Sequence, residues 1–305
     1  MYIICKNIIL KHILLILSKM KKKILILGGS GLLGLHLCSF LRKYKKKYKL
    51  NIFKRGPINN FNNIKFVSSF LQLNKFDYII NLSAITNIDK CRKNKRLAKA
   101  INFKIVKNIC TIVNKKKLST HLILLSTDQI YNNYKNNTEN NYLVPNYYAK
   151  TKMIAENEAK KINSTVIRTN FFGKSLNKKR LSFSDWIYSN LSANKSLFVV
   201  SDILFSPIRI NTLCKVINLC IEKKKVGIFN VGSKNGFSKY AFSVLFAKLL
   251  KLNNNLIIKT KLKKLNLIEK RHKDMRMNVK KFEKTFNFSL PILKDEIKKE
   301  SKIYE

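Results

Sequence analysis

Tyr148 and Lys152 stand four residues apart in the run Tyr148-Ala149-Lys150-Thr151-Lys152, a spacing that puts both side chains on one face of a helix. A phenol and an ammonium so placed suit proton transfer. The positive charge favours the phenolate and draws the tyrosine pKa down from its ordinary ~10 towards working pH. The hydroxyl can then protonate a carbonyl oxygen as hydride reaches the carbonyl carbon. Lys150 falls off that face and reads as a surface residue. The pair follows a strand-like apolar run, His121–Leu125, that ends in Ser126-Thr127-Asp128. Carboxyl ends of strands are where open α/β sheets bind ligands, so Thr127 would supply a second hydroxyl to polarise the same carbonyl. A Tyr-x-x-x-Lys match by itself arises readily in a lysine-rich chain; its position after that strand gives it weight.

Hydride chemistry needs a dinucleotide, and the glycines show where one would sit. The chain has only nine, and four of them (Gly28, Gly29, Gly31, Gly34) fall within seven residues. They follow the apolar run Ile24–Leu27 and open a helical pattern. Gly28 permits a tight turn, Gly31 lets the backbone approach a pyrophosphate, and Gly34 allows close helix–strand packing. The helix N-terminus adds free N–H groups and a positive dipole end. Cofactor choice is read at the end of the second strand, Asn51-Ile52-Phe53-Lys54-Arg55. An acid there would hold the ribose 2′-hydroxyl of NAD. None is present, and Arg55, beside Lys54, predicts pairing with the 2′-phosphate of NADP. NADPH is the expected cofactor, with NADH possible.

Short apolar runs alternate with amphipathic stretches through the first half. Strands are expected at Ile24–Leu27, Leu50–Phe53, Phe76–Leu82, His121–Leu125 and Thr165–Ile167, and helices at Leu32–Tyr44, Lys90–Asn114 and Tyr148–Lys161. This βαβ alternation predicts an α/β fold with a Rossmann-like, doubly wound parallel sheet. The Asn- and Tyr-rich loop Tyr131–Asn146 is long for a compact domain, a property of functional loops. After Gly173 the alternation is irregular, with helices expected at Asp185–Leu191, Ile210–Glu222 and Tyr240–Leu252 and strands at Phe198–Ser201 and Gly227–Val231. The expected organisation is an extension over 1–19, a dinucleotide-binding domain over 20–168, and a smaller α/β substrate-binding domain over 169–305. Part of 208–231 is expected to return to the first domain.

The 305 residues carry 62 Lys+Arg against 16 Asp+Glu, a formal charge of +46. Such a balance invites phosphate binding, but only nine of the basic residues are Arg, the residue that dominates bidentate phosphate and base-edge contacts. The Lys are spread along the chain with Asn and Ile, so a solvated lysine surface is favoured over nucleic-acid binding. Hydrophobic residues make up 46%, which excludes a wholly disordered chain. No uninterrupted apolar run reaches the ~18 residues of a membrane span. The six cysteines (Cys5, Cys38, Cys91, Cys110, Cys214, Cys220) form no CxxC pair, which suits buried thiols of a cytoplasmic protein better than a disulfide framework or a zinc site. Residues 1–19 are apolar but interrupted by Lys6, Lys11 and His12 and lack a cleavage signal. Met20 therefore reads as a natural start, or the segment as a peripheral helix.

Several motifs in this order resemble the extended short-chain dehydrogenases/reductases, especially the dTDP-4-dehydrorhamnose reductase group. They are ILILGGSGLLG (24–34), FDYIINLSAITNIDKC (76–91), LLSTDQIY (124–131), YYAKTKMIAE (147–156), VIRTNFFG (166–173) and GIFNVGS (227–233). The resemblance covers most of the chain from Met20. It implies NADPH-dependent reduction of the 4-keto group of a nucleotide-linked deoxysugar, in nucleotide-sugar and cell-surface polysaccharide biosynthesis, with a homodimer as one possibility. By the motif match Thr127, Tyr148 and Lys152 are the catalytic trio. Gly28, Ser30, Gly31, Leu32, Leu33 and Gly34 would line the pyrophosphate. Ser83, Ala84 and Ile85 would lie along the ribose and nicotinamide, with Asn102 behind the site. Asp128, Asn170 and Phe171 would face the sugar.

Two departures fall where the sugar would sit. Gln129-Ile130-Tyr131 follows the STD segment where the family usually has Tyr-Val-Phe, and Phe171 stands where Trp is frequent. They leave the sugar open. An epimerase or dehydratase of the same superfamily would keep NAD bound, and a dehydratase would carry an acid at position 129. A non-catalytic NADP-binding subunit, like the regulatory partner of methionine adenosyltransferase, would not need the Thr127–Tyr148–Lys152 set.

Overall fold

The computed structural model describes residues 21–53, 57–131, 137–177 and 180–305. The 1–19 extension, Lys54 and Arg55, and part of the long loop lie outside the described residues.

The first half runs β1 (Lys22–Leu27), α1 (Leu32–Arg42), β2 (Tyr48–Phe53), α2 (Ile64–Asn74), β3 (Tyr78–Asn81), α3 (Ile88–Lys93) and α4 (Lys95–Lys99). A π-helical turn, Ala100–Lys104, leads into α5 (Ile105–Lys115), then β4 (His121–Leu125), α6 (Tyr147–Ala159) and β5 (Ser164–Thr169). The second half holds β6 (Phe171–Phe172), α7 (Phe183–Ser192), β7 (Leu197–Val200), β8 (Leu204–Phe205) and β9 (Ile208–Arg209). It continues with α8 (Ile210–Lys223), β10 (Gly227–Val231), β11 (Phe237–Ser238) and α9 (Lys239–Leu249). β12 (Ile257–Thr260), β13 (Asp274–Met275), α10 (Lys280–Phe286) and α11 (Leu293–Ser301) complete it.

Six strands form one parallel sheet in the order β10-β5-β4-β3-β1-β2. Along β1, Ile24 and Ile26 face the core under α1 and α8, while Leu25 and Leu27 face the core under α2, α5 and α6. Both faces are covered, so the strand reads as a continuous apolar run rather than an alternating one. The chain leaves β1 for β2 on one side and returns to β3 on the other. That reversal opens a crevice at the carboxyl ends of β1 and β3. β10 reaches the sheet from the second half by pairing with β5. The remaining short strands and α7, α9 and α11 enclose a separate core around Phe172, Phe205, Phe242 and Phe246.

Two differences from the sequence expectations have local causes. α2 was not expected; the Asn63 side chain accepts hydrogen bonds from Lys65 and Phe66 N–H and starts it, and Val67 and Leu71 are buried. The cap followed by Phe66, Val67, Phe70 and Leu71 is a helix signal of ordinary strength. The single helix expected over Lys90–Asn114 is broken at Asn94, whose φ of −127° and ψ of 74° are non-helical and whose side chain caps α4 at Leu97 N–H. Beyond Lys270, Phe286 of α10 meets Phe229 of β10 edge-on at 5.1 Å, anchoring the tail to the sheet. Cys38, Cys91, Cys110, Cys214 and Cys220 are buried and unbonded to one another. Among the described residues no helix is long and apolar enough to cross a membrane.

Candidate active site

The glycine loop closes the end of β1 against β3. Gly28 has a φ of +83°, and a Cβ there would lie 2.9 Å from Ser83 N. A Cβ on Gly34 would lie 2.2 Å from the Gly28 carbonyl oxygen. Neither position has room for a side chain, so α1 sits directly on the loop that precedes it. The N-cap of α1 is Gly31, with no side-chain cap among the described residues. Leu32, Leu33 and Gly34, which carry the open N–H groups of the first turn, line a cavity of about 720 Å3. A helix start of this kind is suited to a diphosphate, and the cavity lies within the size range of small-molecule sites. The loop fits the dinucleotide that the glycine spacing implies.

Thr127, Tyr148 and Lys152 come together on the wall of the same cavity. α6 starts at Asn146, whose side chain accepts from Ala149 N–H and whose amide donates to the Lys270 carbonyl at 3.2 Å. The buried face of α6 carries Tyr148, Lys152 and Glu156 at four-residue intervals, among the small Ala149, Ala155 and Ala159. Small residues let this polar face approach the end of β4. The Lys152 ammonium donates to the Leu125 carbonyl at 2.6 Å. Burial pulls its pKa down to about 8, against the opposing pull of Glu156.

The expected depression of the Tyr148 pKa is not what this arrangement produces. Burial raises it well above the ordinary phenol value; a hydrogen bond with Thr127 lowers it, and the charges of Asp128 and Cys91 raise it further. The reason is geometric: Lys152 directs its charge to the Leu125 carbonyl, and desolvation of the phenolate outweighs everything else. Tyr148 is therefore held as a phenol, the form of a proton donor.

Asp128 is 1% exposed. Its carboxylate accepts from Asn170 Nδ2 at 2.9 Å and Gln129 Nε2 at 3.2 Å. Burial nonetheless raises its pKa from 3.8 to about 6, with the Asn170 and Gln129 hydrogen bonds and the Lys239 charge opposing. A folded pKa above the unfolded one means that the stability Asp128 contributes is fully present below the unfolded value. That contribution is lost as pH rises through the folded value. Relative to wild type, Asp128→Asn should therefore be more stable at about pH 7.5 than at about pH 4 by up to ~3 kcal/mol, from two pKa units at ~1.4 kcal/mol each. Urea unfolding of both proteins at the two pH values would show the difference. An equal change at both would assign the effect to packing instead.

Of the residues singled out in the sequence, Gly28, Gly31, Leu32, Leu33, Gly34, Ala84, Thr127, Asp128, Tyr148, Lys152, Asn170 and Phe171 line this one cavity. Ser30, Ser83, Ile85 and Asn102 are not on its wall. The Ser83 hydroxyl turns back to Asn81 Oδ1 at 2.5 Å. Asn102, in the π-helical turn, holds both backbone groups of Ile85 (N–H to Oδ1 at 2.8 Å, Nδ2 to the carbonyl at 3.1 Å) and donates to Thr151 Oγ1 at 3.0 Å. It lies behind the site and ties the β3 loop to α6. Arg55 lies outside the described residues.

Residues 21–304 match the family described as the RmlD substrate binding domain. The chain belongs to this family. It is similar to the spore coat polysaccharide biosynthesis protein SpsK of Bacillus subtilis (strain 168), at 25% identity over 227 residues, 72% of this chain and 77% of that protein. The probable low-salt glycan biosynthesis reductase Agl14 of Haloferax volcanii is 20% identical over 228 residues, 72% of this chain and 75% of that one. Among solved structures, dTDP-4-dehydrorhamnose reductase from Bacillus anthracis str. Ames in complex with NADP shares the fold with a TM-score of 0.85 at 21% identity. The match covers 94% of this chain and 100% of that one.

In this RmlD-family chain the cavity has a second wall that the sequence reading did not reach. Arg180, Ser182, Phe183, Lys239, Arg271 and Met275 line it. Arg180 reaches the glycine loop, its Nη1 lying 3.7 Å from where a Gly31 Cβ would be. Arg271 pairs with Asp89 at 2.9 Å, and the Lys239 ammonium lies 5.7 Å from the centre of the Phe183 ring. With only nine arginines in the chain, Arg180 and Arg271 were as conspicuous in the sequence as Arg55.

Proposed function

We propose that the chain is an NADPH-dependent reductase of the 4-keto group of a nucleotide-linked deoxysugar, acting in polysaccharide biosynthesis. One observation carries this reading: a single cavity joins the uncapped glycine-loop helix, the Thr127–Tyr148–Lys152 set and three cationic side chains, Arg180, Lys239 and Arg271. The loop and α1 would hold the cofactor diphosphate, with Arg180 above it. Lys239 and Arg271 are charge-complementary to the diphosphate of the substrate. Residues 20–168 with part of 208–231 would form the cofactor half, and the rest of 169–305 the substrate half.

When bound, the dinucleotide supplies the hydride. Tyr148, held as a phenol, gives its hydroxyl proton to the oxygen left on the sugar, and Thr127 donates a hydrogen bond to that oxygen. Lys152 stands behind the tyrosine on the same face of α6; with its ammonium on the Leu125 carbonyl it leaves the resting phenol protonated, and its charge would steady the phenolate left by the transfer. Asp128, braced by Asn170 and Gln129, would accept hydrogen bonds from sugar hydroxyls. Gln129 donates its amide to Asp128 and to Met275 Sδ, so the place of a dehydratase acid is taken by a neutral donor, which favours reduction over dehydration. The cytoplasm, where NADPH and activated sugars are made, is the setting this reaction requires.

The test is a panel of nucleotide-linked 4-keto-6-deoxysugars followed by loss of NADPH absorbance. Consumption with one of them is expected. Stoichiometric bound NAD with no net oxidation on any sugar would replace the proposal with an epimerase.

A further inference from the structure

Beneath the catalytic wall lies a buried ion pair that the reaction itself does not touch. Arg168 and Glu156 are each about 1% exposed. The Arg168 guanidinium donates to the Glu156 carboxylate through Nε at 3.1 Å and through Nη2 at 2.6 Å. Its Nη1 donates to the Tyr131 hydroxyl at 2.8 Å and the Glu139 carbonyl at 2.7 Å. The Ser126 hydroxyl donates to the same carboxylate. A buried pair is weak evidence of stabilisation, since apolar residues of like volume often serve as well. Its position is what distinguishes it. Glu156 follows Lys152 by one helical turn on the buried face of α6, Ser126 immediately precedes Thr127, and Arg168 lies two residues before Asn170.

We propose that Glu156 and Arg168 are positioning residues for Lys152: the Glu156 carboxylate keeps the buried ammonium charged, and Arg168 limits that pull. This rests on the reading of Lys152 given above. The groups around Lys152 show why a counter-charge is needed. Tyr148 and Glu156 lie on its own helix, Asp128 at the end of β4, Arg168 on β5 and Cys91 on α3. Lys239 begins α9, and Arg271 lies in the segment before β13. Of the cations, Arg271 is paired with Asp89 and Arg168 with Glu156 itself, and burial works against the Lys152 charge. Glu156 is the group that opposes this.

The two halves of the pair therefore have opposite effects, which a purely structural role would not have. Lys152 works protonated, so activity is present below its pKa and lost as pH rises through it. Glu156→Gln removes the carboxylate one turn along α6 from Lys152 and leaves the Arg168 charge uncompensated, and should move the alkaline limb of the kcat/KM profile down from about 8 by roughly one unit or more. Arg168→Gln leaves Glu156 facing Lys152 and should move the limb up. The double change should return it towards the wild-type position. A second readout needs no substrate or cofactor: the NMR titration of the Lys152 ε-carbon, assigned by its absence from Lys152→Met, should move in the same two directions. Either single variant decides the sign if the other does not fold, and Glu156→Asp, which draws the charge back by one methylene, should give a smaller downward shift. Shifts in one direction for both halves, or none, would overturn the proposal. Normal turnover in Lys152→Met would overturn the catalytic reading of the lysine instead, while the titration would still test the pair.

Discussion

Tyr148→Phe is expected to lower kcat by about 10²–10⁴-fold, the usual worth of a positioned general acid. Cofactor affinity should hardly change, because the ring stays in its buried place (6% exposed) and the glycine loop is untouched. What is lost is the one hydroxyl that shares a hydrogen bond with Thr127 on the cavity wall. Since burial keeps this phenol protonated well above neutral pH, the wild-type enzyme should show no loss of activity near neutrality from ionisation of free Tyr148. Single-turnover kinetics with NADPH, together with a cofactor Kd from fluorescence, separate the two effects. Near-normal turnover in the variant would reduce Tyr148 to a helix residue and remove the catalytic assignment.

Lys152→Met should be the more damaging change, because it acts on turnover and on cofactor binding together. Methionine matches the straight stem of lysine and fits a site that is 3% exposed. The variant loses the hydrogen bond to the Leu125 carbonyl, 2.6 Å in the wild type, and with it the charge beside Tyr148. Glu156 is not orphaned, since Arg168 and Ser126 still hold its carboxylate. The fold should therefore persist, with a loss of about 1–3 kcal/mol from the unpaired carbonyl, offset by removal of a buried charge. Turnover should fall at least as far as in Tyr148→Phe. By the family resemblance Tyr148 and Lys152 also contact the cofactor, Lys152 through a ribose hydrogen bond; a charged donor contributes ~1.5–3 kcal/mol, so NADPH Kd should rise by roughly 10–100-fold. If Kd is unchanged while turnover falls, Lys152 acts on the proton alone and does not reach the cofactor.

The elements with strong local signals were readable in the sequence. β1, the glycine loop and α1 were visible because a buried parallel strand, a positive φ and a close helix approach each restrict residue type. Tyr148 and Lys152 were visible because helical spacing alone sets which residues share a face. α2 was equally readable, and its Asn63 cap was the overlooked signal. The break at Asn94 and the π-helical turn at Ala100–Lys104 are different. The first is a local Asn cap on Leu97 N–H; the second carries Asn102, whose partners Ile85 and Thr151 are distant in the chain.

By itself, then, the sequence determined the α/β class, the place of the glycine loop and the shared helical face of Tyr148 and Lys152, the pair we propose for proton transfer, because each follows from short-range backbone geometry. Only the tertiary structure decided the electrostatics. It turned Lys152 towards Leu125, raised rather than lowered the Tyr148 pKa, and brought Glu156 and Arg168 together beneath the site. It also brought Arg180, Lys239 and Arg271 from three separate segments to face the trio across one cavity. Burial and charge–charge distance control these properties, and both arise from the packing of elements far apart along the chain, which no local pattern of residues encodes.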